Sequence, residues 1–82
     1  MYNTEYTETT QLRANILGGM NCYVKDNWYS KDNNIRELWE SVFPPNCNEE
    51  VLFVYADNEQ LWLIVINAFA ECCKKMDVIP NV

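Results

Sequence analysis

Residues 57–76 read DNEQLWLIVINAFAECCKKM, and how this stretch folds decides how the rest of the chain folds. Asp57 followed three residues later by Gln60 matches a capping box, in which the carboxylate takes an orphan backbone N–H and the glutamine reaches back to the cap. Leu61, Val65, Phe69, Cys72 and Met76 then recur at steps of three and four, which places them on one helical face. Leu63, Ile64 and Ile66 widen that face, and the widening predicts a helix buried on more than one side. Lys74 and Lys75 complement the dipole in the last turn, and Pro80 forbids continuation. The stretch is expected to be the central helix of the fold.

The whole chain has 82 residues, room for one domain and one modest core. Its apolar content of 49% is enough to drive folding rather than disorder. The longest apolar run, residues 61–66, is far short of the ~20 residues of a membrane-spanning helix, so no membrane association is expected. The N-terminus, MYNTEYTETT, is polar and acidic, unlike a signal or transit peptide, and the expected location is the cytoplasm.

Working outward, residues 1–8 read as a flexible N-terminal arm and residues 9–82 as a single helical domain. Thr9 or Thr10 is expected to cap a first helix reaching about Val24, with Leu12, Ile16, Met20 and Val24 turned inward beside Leu17 and Tyr23. Gly18-Gly19 interrupts that helix at a cost of ~1 kcal/mol per glycine against alanine; such a pair either bends the helix or lets another helix come close, and the unbroken register of the apolar stripe favours close approach. Residues 25–33 form a polar connection carrying Trp28 and Tyr29. Asn34 with Glu37 makes a second capping box, followed by the apolar face Ile35, Leu38, Trp39, Val42 and Phe43. Pro44-Pro45 stops that helix, and Asn48 can cap a third with Glu49 and Glu50 in its first turn.

The fold class that follows is all-α, a small bundle of three to four helices. One alternative stays open. Residues 51–56 and 61–66 are rich in β-branched and aromatic side chains, so an α+β fold with a hairpin at 51–66 also fits.

The chemistry the chain lacks narrows its function. It has no histidine, the usual acid–base group near neutral pH, and its only glycines are 18 and 19, so no loop can cradle phosphate. Cys22, Cys47, Cys72 and Cys73 lack the paired spacing of a zinc site and are expected to be reduced and structural. Neither catalysis, a metal nor a cofactor is expected. Twelve acidic against six basic residues give a net charge of −6, which disfavours direct contact with nucleic acid and suits a protein partner with a basic surface. Glu37 and Glu40 before the Pro-Pro corner, and Glu49 and Glu50 after it, are the candidate docking acids. Trp28 and Tyr29 are candidate aromatic anchors, although covering the edge of the core is the commoner role for such a pair. The excess of large apolar side chains also allows a homodimer.

Two segments, LRANILGGMNCYV and NIRELWESVFPPNCNEEVLFVYADNEQLWLIVINAF, resemble small uncharacterised helical proteins of phages and mobile elements of gut Firmicutes. In those, a helix of the pattern L-R-x-x-I/L-x-x-M-x-x-Y-V precedes an aliphatic-Trp helix, a proline turn and an acidic-capped last helix. The likeness spans most of residues 11–70 and departs at Pro44-Pro45, where Pro-Asp would be usual. It implies a helical fold and phage ancestry. Small acidic proteins of that origin resemble inhibitors of host defence, anti-CRISPR proteins among them, which would act by steric or charge-mimic blocking.

Overall fold

The computed structural model describes residues 6–78, which form four helices and no strand: α1 (Glu8–Asn27), α2 (Asn33–Val42), α3 (Glu49–Ala56) and α4 (Glu59–Lys75). The hairpin alternative is thereby overturned. Residues 51–56 and 61–66 both lie in helices, because Asn48 and Asn58 each accept the backbone N–H three residues on, from Val51 at 3.0 Å and Leu61 at 3.1 Å. Two caps in register outweigh the β-branched composition.

Other caps fall one to three residues from where the sequence suggests. Thr7 rather than Thr9 or Thr10 caps α1, and its hydroxyl accepts from the Thr10 N–H at 3.1 Å. Asp32 rather than Asn34 caps α2 through the Asn34 N–H at 2.8 Å. Asp57 belongs to the end of α3, where its backbone N–H donates to Phe53 and Tyr55, and its carboxylate meets the Thr10 hydroxyl at 3.4 Å. Tyr6, assigned by sequence to the arm, stacks on Phe53 with ring centroids 4.6 Å apart. Residues 1–5 lie outside the described range. Pro80 lies outside it too. Helix α4 has already stopped, because Asp77 adopts φ 59° and the Val78 and Asp77 N–H groups close back onto Cys73 and Lys74 in a Schellman motif.

Phe69 sits where three helices meet. Its ring lies 6.4 Å from Tyr23 and 5.7 Å from Trp28 at the end of α1, and 6.2 Å from Trp39 of α2. Val65 and Cys72, one turn to either side, are fully buried, and Phe43 and Ile35 of α2 close the layer. Leu61, Trp62 and Phe69 are half-buried, so the inward stripe of α4 is narrower than expected. Leu63 and Ile64 are each 48% exposed, so α4 is covered on one side, not several.

On α1 the inward stripe differs from the expected one. Met20, Leu17 and Val24 are buried, whereas Leu12 and Ile16 are 59% and 38% exposed and Tyr23 is exposed as well. Steps of four overshoot a turn by about 40° each, so a stripe built only from fours drifts around the helix. The stripe that stays inward alternates threes and fours: Thr10, Ala14, Leu17, Asn21, Val24 and Trp28, all buried. Asn21 belongs there because its side-chain oxygen accepts the Trp39 indole N–H at 2.9 Å, which satisfies both buried groups. The two glycines serve no close contact. A Cβ on Gly18 would meet Leu52 at an ordinary 3.5 Å, and one on Gly19 would meet nothing within 4 Å.

Candidate protein-binding site

The corner between α2 and α3 is built by proline. Pro44 and Pro45 forbid helix in the residues before them, so α2 ends at Val42 and the chain turns before Asn48 restarts it. The Lys25 ammonium of α1 donates to the Pro45 carbonyl at 3.1 Å and ties the corner to the bundle. An open groove of about 360 Å³ lies along the corner, lined by Pro44, Asn48, Glu50, Val51, Val54 and Tyr55. Its floor is apolar. The Tyr55 ring stands edge-on to Phe43 at 5.1 Å, and Val54 is 51% exposed.

The six side chains nominated from sequence fall into three situations. Glu49 and Glu50 are exposed in the first turn of α3, with Glu50 on the groove wall. Glu37 and Glu40 are exposed on α2, and Glu40 stands near the Tyr29 phenol. None of the four carboxylates joins a salt bridge; the described ion pairs are Arg13–Glu59 at 2.7 Å and Lys74–Glu71 at 3.6 Å. The helices α2 and α3 do not pack against each other, and no described contact joins the two acidic pairs. The aromatic pair is turned inward. Trp28 is 3% exposed, stacked edge-to-face with Tyr23, and its burial removes it as an anchor for a partner. Tyr29 is half-buried, and its hydroxyl is buried without a hydrogen-bond partner of acceptable geometry. Burial, reinforced by the nearby Glu40 carboxylate, pushes the phenol up to about 12.

All four cysteines are free thiols. Cys72 and Cys73 are buried core groups; burial first, and the neighbouring thiol second, push Cys72 up to about 11, so it stays protonated at neutral pH. Cys22 is exposed and Cys47 half-buried. Among the described residues no three His, Cys, Asp or Glu side chains converge as metal ligands do, and no helix is long and apolar enough to cross a membrane.

The groove itself was missed from sequence, where residues 51–56 fit either helix or strand and neither Val54 nor Tyr55 is given a face. The available signal was length: a helix of eight residues carrying the run VLFVYA must leave part of that run facing out. No protein-family model matches the chain, and no curated protein or solved structure matches it either.

Proposed function

We propose that this chain is a small acidic protein-binding module that docks on a basic protein surface. The observation supporting this most directly is the largely apolar groove at the α2–α3 corner with Glu50 at its wall and Glu49 next to it in the same helical turn, neither of them ion-paired. An apolar floor beside free carboxylates suits a segment that presents aliphatic and Lys or Arg side chains together. The net charge of −6 steers such a partner from a distance and keeps polyanions away. Surfaces of that composition are characteristic of enzymes that hold DNA or RNA, so occupation would block the nucleic acid. Inhibition of a host nucleic-acid enzyme in the cytoplasm, in the manner of an anti-CRISPR protein, is the role we assign, in keeping with the likeness to phage and mobile-element proteins.

The test is affinity capture from a bacterial lysate with the wild type and with a Glu49→Gln/Glu50→Gln/Val54→Ser variant. Circular dichroism serves as the control, because removing first-turn acids costs α3 ~0.3–1 kcal/mol each. A basic nucleic-acid enzyme retained by the wild type, lost from the variant and eluted by added salt is the expected result. Retention of the same protein by both at any salt would remove this site from the account. A parallel Glu37→Gln/Glu40→Gln variant reports whether the α2 pair belongs to the same surface.

A further inference from the structure

A second surface, on the flank where α1 and α4 run side by side, has a different character. The two helices are parallel and level: Arg13 pairs with Glu59 and lies 4.8 Å from the Trp62 ring centroid, and ten residues on Tyr23 meets Phe69. Helical phase of about 100° per residue turns Leu12, Ile16, Gly19 and Tyr23 of α1, and Leu63 and Ile66 of α4, to the outside of this seam. Five of the six are apolar side chains, with Leu12, Ile16, Tyr23 and Leu63 between 38% and 59% exposed. Glu59, the acid at the N-terminal end of the seam, is neutralised by Arg13.

The spacing four, three, four of residues 12, 16, 19 and 23 is that of a helix-pairing seam. It is also self-complementary. Laid antiparallel on a copy of itself about the midpoint of the stripe, α1 sets Leu12 against Tyr23 and Ile16 against Gly19. Ile16 then enters the space that Gly19 leaves open, where nothing lies within 4 Å of its Cβ position. The same two-fold passes between Leu63 and Ile66 of α4, which the Arg13–Glu59 and Tyr23–Phe69 contacts hold level with Ile16 and Gly19. Glu8 and Asp26 fall opposite Asn27 and Thr9, so no acid faces an acid along α1 in this register. Two helices about 30 Å long and about 10 Å apart present roughly 600 Å² per copy, or about 1,200 Å² in the pair, the lower bound for a specific interface.

We propose that a second copy of this chain docks here, as a two-fold antiparallel dimer centred on Ile16 and Gly19. This does not depend on the α2–α3 groove, which stays open in the dimer. Sedimentation velocity of the full chain from micromolar to millimolar concentration tests it, with Gly19→Glu and Val54→Glu as variants. The wild type and Val54→Glu should shift from monomer to dimer, and added salt should favour the dimer by screening two copies of charge −6. Gly19→Glu should remain monomeric while keeping its helical circular dichroism, since the position is open and helix propensity improves. In the wild type, amide shifts that change on dilution should cluster on residues 12–23 and 63–66. A wild type that stays monomeric throughout, or a Gly19→Glu variant that dimerises normally, would overturn the proposal.

Discussion

Asn21 carries more of the fold than its residue type suggests, because the Trp39 indole N–H is buried and Asn21 is its acceptor at 2.9 Å. Removing one partner of a buried pair leaves the other unsatisfied, a loss of ~1–3 kcal/mol. Asn21→Ala is therefore expected to lower the unfolding free energy by that amount, read as a lower urea midpoint at unchanged slope, and an unchanged midpoint would mean that water reaches the indole. Tyr29 presents the converse case, a buried hydroxyl that closes no good hydrogen bond although the Glu40 carboxylate stands beside it, so Tyr29→Phe should change stability little at neutral pH. The same phenol and Cys72 make the fold sensitive to alkali. Folding raises Cys72 from 9.0 to about 11 and Tyr29 from 10.0 to about 12, so the folded chain binds these protons more tightly than the unfolded chain. Their contribution is whole below pH 9 and lost as pH climbs through the folded values. Denaturation midpoints measured across that range should fall, with a shallower decline above pH 10 for Tyr29→Phe. Midpoints that decline identically in both proteins would show that the phenol titrates as it does in water.

Each helix was legible to the degree that its signal was local. Proline and asparagine announced the end of α2 and the start of α3, because a missing N–H and a side-chain cap act within three residues. The face of α2 was legible for the same reason, with Ile35, Trp39 and Phe43 buried as their spacing implies. The face of α1 was not. Its inward stripe runs through Thr10, Ala14 and Asn21, residues whose type says nothing of burial until Trp39 supplies a partner 18 residues away. Leu12 and Ile16 read as core because they are apolar, yet they are largely exposed. The glycine pair was read as room for the close approach of another helix, and within this chain neither residue makes such a contact. Gly18→Ala and Gly19→Ala should each stabilise the monomer by about 0.5–1 kcal/mol, since both positions have helical backbone and room for a Cβ. A loss of thermal stability in either variant would show that the space is occupied.

At the scale of the molecule, the all-α bundle followed from four apolar segments separated by caps and prolines, and the aromatic cluster around Phe69 is where those segments meet. The candidate site was legible only in its charge. All four nominated acids are exposed, but that Glu50 alone of them lines the groove depends on how the α2–α3 corner turns, a tertiary fact that no periodicity carries. Trp28 was ambiguous for a related reason: an aromatic at a helix end packs inward or outward according to what lies beneath it, and here Phe69 lies beneath it. On the proposed function the protein would cover a surface, with its acids standing in for phosphates on a basic partner. Competition on that partner is the most direct test. The complex captured from lysate is titrated with a duplex or single-stranded oligonucleotide, and the fraction of partner still bound to this protein is read by fluorescence anisotropy. The account predicts mutual exclusion, in which oligonucleotide displaces the protein in proportion to its own affinity and excess protein displaces the oligonucleotide. A ternary complex, in which both remain bound at saturation, would contradict it.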